Sequence, residues 1–306
     1  MARFALIRSA EGLLTLLIIA LAIFGLLHLI PYTPAYAILG RNATPQAVAR
    51  LNAELGLNLP LPVQFLVWLR DMFISGQALH FLTGPLLVTL QLLIFSTVIA
   101  FGLACWVALV QVRHAGTRLD HTLTAITYGL YAVPAFWLAL ILIWVVALTL
   151  LWLPPDGWPG AAHPGLASWA VHLVMPVGTL ALTTVGGWSR YLRAAVEEAL
   201  QTDYARTARA KGASETQILI RHAFRNSLLP LITLAGMSLP TVINAVIVLE
   251  VIFYMPGAGH AFWDAINGLD FTAATSLAFF LALVTVAGNV AADLLYGLAD
   301  PRIQYV

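Results

Sequence analysis

The sequence predicts an all-α integral membrane protein with about six transmembrane helices and one helix–break–helix element on the cytoplasmic side. Three observations carry this. The 306 residues are 60% hydrophobic and 9% charged, with a mean hydropathy of +0.88, outside the range of soluble globular domains. Six apolar stretches approach or exceed the roughly 20 residues that a helix needs to cross a bilayer. Net charge is only +1, yet seven of the fifteen basic residues crowd into one region: Arg190, Arg193, Arg206, Arg209, Lys211, Arg221 and Arg225.

The first span, Gly12–Ile30, follows Arg3 and Arg8. A basic start, an apolar run and Ala35-Tyr36-Ala37 also suit a signal peptide. The run exceeds the roughly 7–15 residues of such a segment, and Pro31 and Pro34 intervene, so an uncleaved span is expected. Residues 31–84 form a mixed, amphipathic external region. There Thr44 as N-cap and Pro45 at the first helical position open a helix that Gly56 stops. The second span, Leu86–Val110, is uncharged, and Arg113, His114, Arg118 and Asp120 follow it. The third, Thr122–Leu153, is interrupted by Pro134, which predicts a kink. Residues 154–160 are a turn-rich external loop between Trp152 and Trp158. The fourth span runs over Leu166–Ser189, the fifth over Leu228–Phe253 with Pro230 and Pro240, and the sixth over Phe271–Ala292.

Charge asymmetry orients these spans. With the N-terminus inside, Arg3, Arg8, Arg113, Arg118, the seven residues above and Arg302 all fall inside, leaving Arg41, Arg50 and Arg70 outside. The positive-inside rule therefore places both termini and residues 190–230 in the cytoplasm. The single chain, residues 1–306, reads as one membrane domain.

Within the polar run, Thr202 and Asp203 are N-cap residue types, and Tyr204–Lys211 is rich in helix formers. Gly212 suits the left-handed position that ends a helix, and Arg209 and Lys211 complement its dipole. Ser214-Glu215-Thr216-Gln217 is a capping-box pattern opening the next helix.

This region resembles the EAA loop of the membrane subunits of ABC importers, in the branch that takes up peptides, opines or nickel. The branch reads roughly D-Y-V-R-T-A-R-A-K-G, then R-H and N-x-x-L-P, matched by Asp203–Gly212, Arg221-His222 and Asn226–Pro230, with Ala205 replacing the usual Val. Further matches are Leu55–Gln64 to an L-G-L-D-x-P segment and Ala132–Trp137 to S-x-P-x-F-W. Phe253–Gly259 matches F-x-x-P-G-x-G, Ala265–Asp270 matches A-I-x-x-x-D, and Asp300-Pro301-Arg302 closes the chain as D-P-R does. Ser75–His80 departs from the family's G-D-x-G-x-S, keeping a glycine but not the acid and serine. The resemblance covers nearly the whole chain and implies the type I importer permease fold. It implies that Asp203, Tyr204, Arg206, Thr207, Ala208, Arg209, Ala210, Lys211 and Gly212 form a coupling helix docking on an ATPase subunit. Asp203 is expected to cap that helix, Tyr204 and the alanines to fill the ATPase groove, and Gly212 to set the turn. Implied partners are a second permease subunit, two ATPase subunits holding ATP and Mg, an extracytoplasmic binding protein and membrane lipid of the bacterial inner membrane. No nucleic-acid partner is expected.

Acids inside spans are costly and mark functional candidates by default. Glu250 follows an apolar run at a position where the family carries an acid before F-x-x-P-G, which implies a role near an external gate or in its packing. With it stand Pro256, Gly257, Gly259 and Asn244 as gate or pathway candidates. Asp293 reads as functional or as a near-interface carboxylate paired with a basic residue such as Arg302. Asn289, His28 and His172 either line a path or make interhelical hydrogen bonds. Thr183–Gly187 superficially resembles a potassium-filter sequence, but its place before a basic loop favours close helix packing.

Several chemistries are excluded. Cys105 is the only cysteine, so no intramolecular disulfide or Cys-based metal cluster forms. Lys211, the only lysine, precedes Gly212 rather than Ser or Thr, so there is no Walker A loop. No metal-ligand spacing and no nucleophile–base pair appears, so a non-enzymatic transport subunit without cofactors of its own is expected. A secondary transporter or channel is the alternative, and a lipid-directed enzyme or an assembly anchor fits the residues less well.

Overall fold

The computed structural model describes residues 2–29, 34–40, 43–54, 56–74, 83–160, 165–268 and 270–299. The departure at Ser75–His80, Arg41 and the closing Asp300–Arg302 lie outside them. The described residues are helical, without strands. In order they form α1 (Ala2–Leu29), α2 (Pro34–Leu39), α3 (Pro45–Glu54), α4 (Leu61–Ile74) and α5 (Pro85–Arg113). Next come α6 (Arg118–Ala132), α7 (Ala135–Leu142) with a π-helical continuation (Ile143–Thr149), and α8 (Leu166–Gln201). The chain ends with α9 (Asp203–Ala210), α10 (Glu215–Ile252, with a π-helical turn at Ile218–Phe224), α11 (Ala258–Asn267) and α12 (Phe271–Ala299).

Five helices are long and apolar enough to cross a membrane, and a sixth crossing comes from a bent pair. The kink expected at Pro134 is larger than a kink: α6 and the 135–149 helix meet at 104°. Val133 is extended and Pro134 N-caps α7, as expected when a proline removes a donor and bars α conformation from its predecessor. The pair still makes one crossing. Its start, Asp120, lies against Arg193 of α8, and the loop after it brings Gly157 against Pro176 of α8. Those α8 residues are about 26 Å apart at 1.5 Å per residue.

Two helices outgrow the bilayer. The 36 residues of α8 and the 38 of α10 are each about 55 Å long, against roughly 30 Å of hydrocarbon. The polar ends of both project together and carry α9 between them. The helices pack through two cores, one of Leu92, Leu180, Val246, Leu249 and Phe253, the other of Ala104, Trp188, Leu192, Val196 and Leu231. A third, aromatic core joins α1, α4 and α12 through Phe24, Phe65, Trp68, Phe279 and Phe280. Outward faces keep large apolar side chains such as Leu13, Val98, Trp106 and Trp144. A soluble monomer does not expose so much apolar surface, whereas lipid or a membrane partner covers it.

Candidate functional site

The helix–break–helix element is closed by its own backbone. Gly212 has φ +83°, its N–H donates to Arg209 O at 2.9 Å, and Ala213 N–H donates to Ala208 O at 3.1 Å. This is the Schellman pattern, and only a residue free of a Cβ penalty takes that φ without strain. The capping box forms: Ser214 Oγ accepts from Gln217 N at 3.3 Å and Gln217 Oε1 accepts from Ser214 N at 3.2 Å. Arg209 then clamps the two helices. Its Nε and Nη2 donate to the Glu215 carboxylate at 2.7 and 3.1 Å, and Nη1 donates to Leu200 O at 3.3 Å. The Glu215 hydrogen bond does most to raise the Arg209 pKa above its ordinary value.

Two expectations for α9 are corrected. Thr202, not Asp203, is its N-cap residue, and the Thr202 hydroxyl donates backwards to Ala199 O at 2.6 Å. Asp203 is the first helical residue, almost fully exposed and 3.5 Å from Arg206 Nη1. The alanines do not share a face. Ala205 is fully buried on the side of α9 turned to its flanking helices, Ala208 is half-buried and Ala210 exposed. The surface presented outward is Asp203, Tyr204, Arg206, Thr207, Ala210, Lys211 and Gly212.

At the other end of α10, Glu250 is completely buried. Thr89 Oγ1 of α5 donates to Glu250 Oε1 at 2.6 Å and accepts from Ala258 N at 2.8 Å; Gly259 N donates to Glu250 Oε2 at 2.6 Å. The two backbone donors, Ala258 N and Gly259 N, are first-turn amides of α11, which have no helical partner, so the carboxyl and the Thr89 hydroxyl together tie three helices and cap one of them. Gly257 and Gly259 are required here, because a Cβ on either would run into the Glu250 carboxyl. Phe253 is fully buried, its carbonyl accepts from Gly157 N at 2.7 Å, and Tyr254 turns the chain with φ +52°. Of the gate and pathway candidates, Glu250, Gly257 and Gly259 therefore build this latch. Pro256 is exposed in its turn, and Asn244 stands apart on the exposed face of α10.

Between the two ends lies a cleft of about 530 Å³ formed by α6, α7, α8 and α10. Tyr131, Thr183, Thr184, Arg190, Ser238 and Thr241 are among its lining residues. Thr183–Gly187 lies within the continuous helix α8, which fits the close-packing reading and not a filter. Gly186 packs so closely on Thr127 and Tyr131 that no Cβ fits, while the two threonines face the cleft. Arg190 lies 4.5 and 4.4 Å from the ring centroids of Tyr128 and Tyr131, contacts worth about 0.5–1 kcal/mol each where partly exposed. One turn on, Arg193 pairs with buried Asp120 at 2.6 Å and with Glu197 at 2.8 Å. Sequence reasoning counted both arginines as loop charge. Thr89 was missed altogether, since nothing local to it signals a partner so distant in the chain.

The remaining polar candidates lie apart from the latch and the cleft. Asp293 lies 3.5 Å from Arg8 of α1, so the ion-pair reading stands with Arg8 in place of Arg302, which is outside the described residues. His28 joins α1 to Gln64 of α4 at 3.1 Å, His172 bonds to Ser168 O, and Asn289 lines a smaller pocket beside Asp293.

The fold and site define a helical membrane subunit whose long helices carry a basic helix–break–helix element on their polar ends. The chain belongs to the family of binding-protein-dependent transport system inner membrane components. The family model matches residues 100–305, and the model of its N-terminal component matches residues 1–87. The chain is similar to a probable peptide ABC transporter permease of Sinorhizobium fredii, 33% identical over 97% of this chain and 98% of the relative. It is also similar to an oligopeptide transport system permease of Bacillus subtilis, 31% identical over the full length of both. A dipeptide transport system permease of Alkalihalophilus pseudofirmus is 30% identical over 92% of this chain and 93% of its own.

Proposed function

We propose that this chain is one of two permease subunits of an ATP-driven peptide importer, and that α9 is the helix through which ATPase subunits drive it. The observation that carries the proposal is the build of α9. Its caps, the Arg209 clamp and two projecting helices hold it in place, yet among the described residues the side chains of its outer face are exposed. Rigid mounting with a free polar face suits transmission of force from a docked partner. ATP and Mg belong to those ATPase partners, and a soluble binding protein delivers substrate at the end where the Glu250 latch lies. Charge asymmetry puts α9 and both termini in the cytoplasm. Peptide is preferred to nickel or a metal chelate because the relatives are named for peptides.

Co-purification from native membranes in mild detergent tests this, with partners identified by mass spectrometry and ATPase activity compared with Gly212→Val. At φ +83° a β-branched residue costs at least about 1–2 kcal/mol, so the break should open and the docking angle change. A Walker-type ATPase and a second permease that co-purify, and that lose substrate-stimulated hydrolysis in the variant, are the expected result. A lone chain that transports in purified form would replace this reading with a secondary transporter.

A further inference from the structure

We infer that Arg190 is a docking point for the carboxylate of a peptide passing through the cleft between α6, α8 and α10; this rests on the peptide-importer reading. The cleft follows α8 from Leu180 to Tyr191 and α10 from Leu234 to Ala245, about 16 Å of each helix. Three of its hydroxyls have their protons committed within their own helices. Thr183 and Thr184 donate their hydroxyl protons to carbonyls of their own helix (Thr179 O and Leu180 O), and Ser238 donates to Ala235 O. Their oxygens are left as acceptors, matched to the N–H groups of an extended peptide.

Arg190 supplies the opposite chemistry at the end of the cleft nearer α9. Its Nε donates to Gly186 O at 3.0 Å, so the two Nη groups keep the paired N–H donors that a carboxylate accepts from. Among the described residues no carboxylate lies within ion-pair distance of it, whereas Arg193, one turn away, has two. The faces of Tyr128 and Tyr131 hold the cation in place without neutralising it. Glycines let Tyr131 come so close: a Cβ on Gly187 would sit 3.1 Å from its ring. A buttressed, uncompensated guanidinium beside a file of acceptors is complementary to a peptide backbone ending in a carboxylate. Other oxyanions of the same chemistry are a lipid phosphate and a carboxylate of the second permease.

The test is uptake of Ala-Ala and of its C-terminal amide by the complete importer in vesicles, once in phosphatidylcholine alone and once with phosphatidylglycerol added. Each variant is scored against wild type for the same substrate, so the binding protein's own preference cancels. Arg190→Gln is expected to slow Ala-Ala uptake about tenfold, as loss of a charge-assisted pair does, and the amide far less, with Arg190→Lys restoring part of the difference. Equal slowing of both substrates would show a structural role and overturn the inference. So would loss of the second permease on co-purification, or an effect that follows phosphatidylglycerol content. No slowing by Arg190→Gln while wild type imports Ala-Ala refutes the carboxylate site and leaves the importer standing. Failure of wild type to import any peptide removes the parent reading instead.

Discussion

The two ends of α10 are built on opposite plans. At the Glu250 end a fully buried carboxyl is surrounded by Thr89, the first amides of α11 and two glycines that admit no side chain. At the Gly212 end the chain turns in the open, held by caps and a clamp whose partners lie within nine residues of one another. The first arrangement seals helices together around a buried polar group. The second is a rigid handle with a bare surface. On the proposed reading, a subunit driven through α9 while its helices stay registered at the other end uses both.

The contrast is sharpest under mutation of the buried end. Glu250→Ala removes the acceptor of the Gly259 amide and the shorter of the two acceptors of the Thr89 hydroxyl and should cost about 3 kcal/mol, read as a fall in thermal midpoint in detergent. Glu250→Gln, which keeps an acceptor for Thr89 or Gly259, should cost less; equal losses would mean that the latch is not held by these hydrogen bonds. Gly257→Ala drives a methyl into the carboxyl and should cost about 1–3 kcal/mol. Gly102→Ala in α5, where a Cβ meets nothing within 4 Å, should instead stabilise by about 0.5–1 kcal/mol. A loss there as large as at Gly257 would break the argument from close approach. Arg209→Ala should leave the midpoint nearly unchanged, since its pair with Glu215 is exposed, while reducing ATPase coupling in the assembled importer. An unfolded chain in that variant would show that the handle is part of the core.

What could be read from the sequence follows the range of the interactions. The Schellman turn at Gly212 and the Ser214–Gln217 box were legible because every partner lies a few residues away. The same local view misplaced the α9 cap by one residue, because Thr202 and Asp203 are both capping types and only the backbone distinguishes them. Pro134 announced a break but not its 104° angle, which depends on how α6 and α7 each pack against α8. Arg190 and Arg193 look alike in sequence, and Asp120 makes one of them structural from 73 positions away.

The sequence by itself determined that this chain lives in a membrane, roughly where its spans lie, and that residues 203–217 form a capped helix–break–helix. Apolar length, caps and a left-handed glycine act locally, so composition and spacing suffice. Only the tertiary structure decided that Glu250 is buried in a hydrogen-bonded latch, that α8 and α10 carry α9 between their polar ends, and that, among the described residues, Arg190 faces a cleft with no acid within ion-pair distance. Those facts depend on which helix faces are brought together by helices distant in the chain, 161 residues apart at Thr89 and Glu250, and burial of a polar group is a property of its neighbours in space.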